Sequence, residues 1–417
     1  MKYIKRHLES IFLKLSDTYP AVLITGPRQT GKTTMLKKLL EQEGRGREYV
    51  TLDDLDERQL AKKDPAMFFQ LHKPPVFIDE VQYAPELFPY IKIHADKYKD
   101  WYGNTGGGRG DFWLTGSQLF KLMDGVQESL AGRVALLHMS PLSQSEIQGV
   151  EASPFEPNFE VLSKRQKNIT PVTLTEVYER IFKGGMPALV SGENPDRAAF
   201  YKSYIGTYLE RDVKELSGRI DSLKFHDFIT AVAAISGQLV NYKTIADACD
   251  IDQTTAKSWL RILETLGIVF YLRPYSNNAL KRAVKTPKLY FYDSGLAAYL
   301  TKWSSAETLQ SGAMSGAILE NYVVGEIMKS WQNAGKEPYI YYYRDKDGKE
   351  IDVILERDGT LFPVEIKRSV SPDSRLINTF KTIDRTGMKR GTGAIICMAE
   401  KLGAVDSENL IVPVGLI

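Results

Sequence analysis

Gly26-Pro27-Arg28-Gln29-Thr30-Gly31-Lys32-Thr33-Thr34 fits the pattern G-x-x-x-x-G-K-[ST]. Glycines, a lysine and a hydroxyl at this spacing can wrap the phosphates of a nucleoside triphosphate in backbone N–H groups. Lys32 is expected to reach the β- and γ-phosphates, and Thr33 to hold Mg²⁺. A second set, Asp79-Glu80, closes the apolar run Pro75-Val76-Phe77-Ile78. Asp79 is expected to orient Mg²⁺ through its water shell, and Glu80 to polarise the attacking water. Either Thr115 or Ser117 is a candidate for positioning that water, with an ordinary turn hydroxyl as the alternative. Arg133 is a candidate for stabilising transition-state charge, in cis or from a neighbouring subunit; a surface ion pair is the competing assignment. Near the C-terminus, Asp352 and Glu365 are hard donors suited to Mg²⁺, and Lys367 is placed to orient or deprotonate a water.

These residues need particular elements beneath them. Ala21-Val22-Leu23-Ile24 reads as a strand entering the glycine loop, and Lys32–Gln42 as the helix leaving it. Strands at Tyr49–Leu52, Pro75–Ile78 and Asp111–Leu114 alternate with helical stretches. Such alternation predicts an α/β fold with a parallel sheet, whose carboxyl edge carries the ligands. Gly103–Gly110 is expected to be a flexible surface loop. Lys349–Leu355 and Leu361–Lys367 read as adjacent strands joined by the turn Asp358-Gly359. Glu365 and Lys367 are two apart and share a strand face. An acid followed at two residues by lysine is common on its own. The neighbouring Asp352, and Glu320 on an upstream helix, lift the set to the pattern of a PD-(D/E)XK nuclease fold. Glu320 is then expected to complete the metal shell or position Lys367.

The wording GPRQTGKTT, VFIDEVQYAPELF, WLTGSQLF, ESLAGRV and MSPLSQSE resembles the AAA-type P-loop ATPases of bacteria and archaea. In particular it is similar to a largely uncharacterised group that carries a C-terminal restriction-endonuclease-like domain. The resemblance implies an AAA-type core and ATP hydrolysis with Mg²⁺. It supplies no secure biological role. Tyr208–Asp212 also resembles a segment of that group; Arg211 is a minor candidate for reaching nucleotide, with a helix-surface ion pair favoured.

Between the two ends, residues 141–171 read as a loop-rich connection and Arg197–Leu216 as a helix. Thr244–Cys249, a turn at Asp250–Asp252, and Gln253–Gly267 form a helix-turn-helix pattern. Val269–Leu272 and Lys288–Tyr292 follow as two wing strands. Gln253, Thr254, Thr255, Lys257, Ser258 and Arg261 are candidates for a major groove. Arg273, Lys281, Arg282, Lys285 and Lys288 make a basic run suited to phosphate, against the alternative of a winged helix that only packs on protein. The expected division is 1–150 AAA-type P-loop domain, 151–220 linker and helical region, 221–295 winged helix-turn-helix, and 296–417 nuclease-like α/β domain.

Bulk composition is that of an ordinary globular protein, with 417 residues, 43% hydrophobic and 25% charged. The net charge of +2 leaves any basic surface local. Cys249 and Cys397 alone exclude a disulfide framework and fit a reducing cytoplasm. No apolar run approaches the roughly 18 residues of a membrane span, so no membrane partner is expected. The expected partner is DNA, with a homo-oligomer as a further possibility. Two functions stay open: an ATPase whose C-terminal domain cuts DNA, and a nucleotide-gated switch whose nuclease-like domain is inert and binds DNA or protein.

Overall fold

The computed structural model of the protein describes residues 3–417 apart from 45, 103–107, 118–129, 152, 194–195, 219, 277–285 and 346. Most of the glycine-rich stretch, and Lys281, Arg282 and Lys285 of the basic run, therefore lie outside the described residues.

Five short apolar runs become strands: β1 Ala21–Thr25, β2 Glu48–Thr51, β3 Val76–Asp79, β4 Phe112–Gly116 and β5 Val134–His138. They pair in parallel in the order β2-β3-β4-β1-β5. A parallel sheet is covered on both faces, which is why β1 and β3 are apolar without alternation. One face packs Leu23, Ile78 and Leu114 against Phe88 and Ile91 of the helix Phe88–Tyr102. The other packs Ile24, Phe77 and Trp113 against Phe12 and the helix Lys32–Glu43. Trp113 meets Phe12 edge-on at 5.0 Å and donates to Ser16 Oγ at 2.8 Å, so its one polar atom is satisfied inside the core. Because all five strands are parallel, Thr25, Asp79 and Gly116 end at one edge.

The 141–171 stretch is more ordered than its composition suggests. It holds two short helices, Gln144–Gln148 and Phe159–Gln166, capped by Ser143 and Asn158. Ser143 and Glu146 form a reciprocal capping box, a local signal that the loop assignment overlooked. Gln144 then ties this corner to the far end of the chain: its N–H donates to Glu326 at 2.7 Å, and its side chain donates to Val414 O at 3.0 Å.

One continuous helical path follows, Arg197–Ser203, Tyr204–Leu209 and Glu210–Ser217, with a π-helical turn at its centre. Helices Ser222–Ala234, Tyr242–Ala248 and Gln253–Thr265 lead into β6 Val269–Pro274 and β7 Lys288–Phe291, an antiparallel pair. Asp252 caps the third helix, accepting from Thr255 N at 2.9 Å and Thr255 Oγ1 at 2.6 Å.

The C-terminal region contributes β8 Ile340–Arg344, β9 Glu350–Arg357, β10 Thr360–Ile366, β11 Lys389–Arg390, β12 Gly393–Cys397, β13 Gly403–Ala404 and β14 Asn409–Pro413. Their order is β13-β14-β12-β10-β9-β8-β6-β7, with β11 beside β10. The expected 295/296 boundary is thus bridged by hydrogen bonds, since Arg273 and Pro274 of β6 pair with Tyr341 and Tyr342 of β8. One apolar core also runs through both regions, from Phe228 and Trp259 to Val353, Ile396 and Val412. The helix Ser315–Gln332, buried over most of its surface, lies within it. Among the described residues no helix is long and apolar enough to cross a membrane.

Candidate nucleotide site and the C-terminal acidic cluster

The glycine loop lies between the carboxyl end of β1 and the helix Lys32–Glu43. Gly26 has φ +138°, and a Cβ there would lie 2.2 Å from the Met139 carbonyl oxygen, so glycine is required. The loop is braced from the N-terminus: buried Arg6 donates to Thr30 O and Ser140 O, each at 2.7 Å, and pairs with Glu146 at 2.9 Å. Thr30 Oγ1 closes the turn by donating to Pro27 O at 2.9 Å. Lys32 Nζ donates to Gly26 O at 2.9 Å and Pro27 O at 2.8 Å, spanning the hollow of the loop. Burial pushes its ammonium down to about 8, against the pull of Glu80. Gln29 has φ +62°, a strained turn within the loop.

The predicted partners of this loop converge. Thr33 Oγ1 donates to Asp79 Oδ1 at 2.7 Å, and Thr115 Oγ1 donates to the same oxygen. Thr115 Oγ1 also accepts from Glu80 N at 3.1 Å. Ser117 Oγ donates to Glu80 Oε2 at 3.1 Å. Both hydroxyls left open by the sequence are therefore used, one for each acid. Glu80 sits at φ +55°, an uncommon conformation that such a mesh can hold. Thr33 and Asp79 present hard oxygens side by side, a donor set that fits Mg²⁺ completed by phosphate and water.

Two members of this mesh carried no sequence signal. Tyr49 Oη donates to Asp79 Oδ2 at 3.2 Å. Gln82 Nε2 donates to Glu80 Oε2 and, at 3.2 Å, to Ser117 Oγ. A cavity of about 540 Å³ adjoins the loop, lined by Tyr3, Thr30, Gly31, Thr34, Pro187 and Tyr204. Asp79, Glu80, Thr115 and Ser117 are not among its walls.

Arg133 and Arg211 both take the ion-pair alternative. Arg133 immediately precedes β5, at the amino edge of the sheet and opposite the loop. Its guanidinium pairs with Asp96 at 2.6 and 3.0 Å, so it does not reach the phosphate site of its own chain. Arg211 is half exposed and lies against Asp212 and the Tyr208 ring. It is Arg28, within the loop, that joins the helical region: Nε and Nη2 donate to Asp212 at 2.7 and 3.0 Å.

At the other end, β9 and β10 bring Asp352, Glu365 and Lys367 together as their spacing predicts. Lys367 Nζ donates to Glu365 Oε1 at 2.6 Å and stands 3.7 Å from Asp352. Asp352 Oδ2 accepts from Ile366 N at 2.8 Å. Burial, reinforced by Asp352, pushes the Glu365 carboxyl up to about 7. Glu320 joins from the helix Ser315–Gln332, and burial also raises it above the ordinary carboxylate range. Lys288 was missed. Read as part of a solvated basic wing, it is buried and pairs with Glu320 at 3.0 Å and Glu350 at 2.6 Å. Tyr290 Oη adds a hydrogen bond to Glu320 at 2.7 Å.

The metal assignment of Glu320, Asp352 and Glu365 is corrected by this arrangement. Lys288 neutralises Glu320 and Lys367 takes Glu365 Oε1, while Glu365 Oε2 is buried with no hydrogen-bond partner. Among the described residues, no three His, Cys, Asp or Glu side chains are grouped so as to hold a metal ion. The cluster as it stands does not fit Mg²⁺.

Comparison with known proteins gives three matches along the chain: an AAA domain over 18–148, a domain of unknown function (DUF8612) over 174–307, and another (DUF4143) over 315–417. The uncharacterized proteins Mb2031c of Mycobacterium bovis and Rv2008c of Mycobacterium tuberculosis are each 30% identical over 355 residues, covering 85% of this chain and 71% of theirs. Among solved structures, the Walker-type ATPase PABY2304 of Pyrococcus abyssi aligns over 72% of this chain and 96% of its own, at 18% identity and TM-score 0.43. The RuvB Holliday junction branch migration motor of Thermotoga maritima aligns over 63% and 86%, at 14% identity and TM-score 0.30.

Proposed function

The chain belongs to the family of these uncharacterized mycobacterial proteins, with an AAA domain at its N-terminal end, and we infer that this domain binds and hydrolyses ATP to govern a DNA-contacting helix-turn-helix unit. The observation that carries the hydrolytic reading is the paired mesh at the carboxyl edge, where Asp79 meets Thr33 and Thr115 while Glu80 meets Ser117. Mg²⁺, when bound, would neutralise the charge of the transferring phosphoryl group. Thr33 and Asp79 would hold it. Glu80, aimed by Ser117 and Gln82, takes the proton of the attacking water. Lys32 turns from its own loop carbonyls to the phosphates, and the adjoining cavity gives the nucleoside room.

The DNA reading rests on Gln253, Thr254, Lys257, Ser258 and Arg261, which stay exposed on the third helix of the unit. Thr255 is occupied by its cap, so it leaves the expected groove-facing set. Of the two functions left open by the sequence, the pairing of Glu320 with Lys288 favours the nucleotide-gated switch over cutting.

Phosphate release from Mg-ATP, with Lys32→Ala as the control, tests the enzyme. Wild type no faster than that variant refutes it. Plasmid incubated with Mg²⁺ or Mn²⁺ is expected to stay intact; cleavage lost in Lys367→Ala establishes the cutting function instead.

A further inference from the structure

Asp79 is buried, and both of its carboxylate oxygens accept hydrogen bonds. Thr33 and Thr115 donate to Oδ1. Among the described residues, Oδ2 takes a single donor, Tyr49 Oη at 3.2 Å. In the register of the sheet, Tyr49 pairs with Phe77 and Thr51 with Asp79. Phe77 and Asp79 share a strand face, so the phenol reaches Asp79 along the diagonal, with its ring 5.0 Å from that of Phe77. Lys37 Nζ lies 3.9 Å from the centroid of the same Tyr49 ring. Thr33 and Lys37 are four apart on the helix Lys32–Glu43 and therefore lie on one face of it. The helix that leaves the phosphate loop thus meets Asp79 twice: directly at Oδ1 through Thr33, and at Oδ2 through Lys37 and Tyr49.

We propose that Tyr49 is a positioning residue for Mg²⁺ at this site, fixing the plane in which the Asp79 carboxylate meets the water shell of the metal. The proposal rests on the ATP-binding reading above. The terminal torsion of an aspartate is broad, so hydrogen bonds to Oδ1 alone leave the carboxylate free to swing about that oxygen. A donor at Oδ2 removes that freedom. An unprotonated carboxylate offers about four lone-pair sites. Two hydroxyls fill those of Oδ1, and Tyr49 takes one at Oδ2. The site left over is on Oδ2, and Tyr49 decides where it points. Partners of this kind, which hold the acid and leave the metal to it, act on metal affinity in particular.

The test reads a coupling on the full chain: the affinity for a fluorescent ATP analogue in saturating Mg²⁺ divided by that in EDTA. Tyr49→Phe removes one oxygen and keeps the ring between Phe77 and Lys37. It is expected to cut the coupling about tenfold, the lower end for loss of an outer-shell partner, while affinity in EDTA stays within about twofold of wild type. A merely structural role would lower the affinity alike in both conditions. Lys37→Met loosens the ring from an exposed position on the helix and is expected to cut the same coupling about two- to fivefold, the range for a cation–π contact. It keeps the proposal testable if Tyr49→Phe lowers the urea midpoint. Unchanged coupling in Tyr49→Phe, or equal losses in Mg²⁺ and EDTA, overturns the proposal, as does wild type that binds the analogue equally well in both. Wild type that binds it in neither condition overturns the ATP reading itself, and is distinguished by that.

Discussion

Replacing Glu80 by glutamine is the sharpest test of the hydrolytic mesh. The amide has nearly the same shape, and its oxygen can still accept from Ser117 Oγ, now 3.1 Å from Glu80 Oε2, and from Gln82 Nε2. The backbone bond from residue 80 to Thr115 Oγ1 is untouched. What disappears is the ability to take a proton from water. General-base loss slows a reaction by about 10²- to 10⁴-fold, or about 2.7–5.4 kcal/mol of barrier. Ser117→Ala sets the scale for misplacement alone. It removes one of two donors to Oε2 while leaving the carboxylate and Gln82, and a slowing of about tenfold follows from losing roughly 1–1.5 kcal/mol of positioning. Phosphate release at saturating Mg-ATP measures turnover, and fluorescent ATP titration measures binding. Glu80→Gln should bind ATP within about threefold of wild type, a difference under roughly 0.7 kcal/mol. Turnover equal to wild type removes Glu80 from proton transfer. Loss of ATP binding in Glu80→Gln refutes the argument differently, by showing that the carboxylate shapes the loop.

Lys32 gives ATP affinity and stability opposite pH dependences. Its ammonium, at about 8 instead of the ordinary 10.5, is lost as pH rises through 8, so ATP affinity should fall about tenfold between pH 7 and 9. The native protein binds fewer protons than the unfolded chain across that window, so the cost of burying the charged group, present in full below 8, fades as pH rises toward 10.5. Lys32→Met should flatten both profiles, as read by titration and urea midpoints. Gly26→Ala should destabilise the loop by at least about 2 kcal/mol through strained φ and the clash with Met139 O, seen as a lower urea midpoint together with lost ATP binding. Lys288→Met should destabilise by about 3–5 kcal/mol by stranding the largely buried Glu320. Adding Glu320→Gln should recover part of the urea midpoint.

What the sequence made legible was chemistry set by neighbours in the chain. The glycine loop, Asp79-Glu80 at a strand end, and the Glu365-Lys367 strand face depend on short spacings, and the strands deliver them together. Thr115 and Ser117 were placed because a parallel sheet gathers strand ends at one edge. For Arg133 a phosphate contact and a surface ion pair both stayed open, because nearness in sequence to a strand does not say which edge it occupies; standing before β5, it belongs to the amino edge and pairs with Asp96. Asp212 lies 184 residues from Arg28, and no periodicity joins such a pair. Lys288 looked like one more charge in a basic wing. Its burial depends on acids from Glu320 and Glu350, which sequence pattern alone cannot bring beside β7. Gln82 has no signature at all, since a glutamine after a strand is usually solvated.

The acidic cluster draws its neutralising charge from two separate directions, and this constrains how it can move. Lys367 comes from the same strand pair as Asp352 and Glu365. Lys288 comes from β7, whose partner β6 follows Gly267 and is also hydrogen-bonded to β8. Gly267 in turn rests on Pro27 of the phosphate loop. Both ends of the Lys288–Glu320 pair are largely buried, so separating them exposes a carboxylate that burial already makes costly. Glu365 Oε2, by contrast, is buried with no hydrogen-bond partner, while Lys367 takes the other oxygen of that carboxylate.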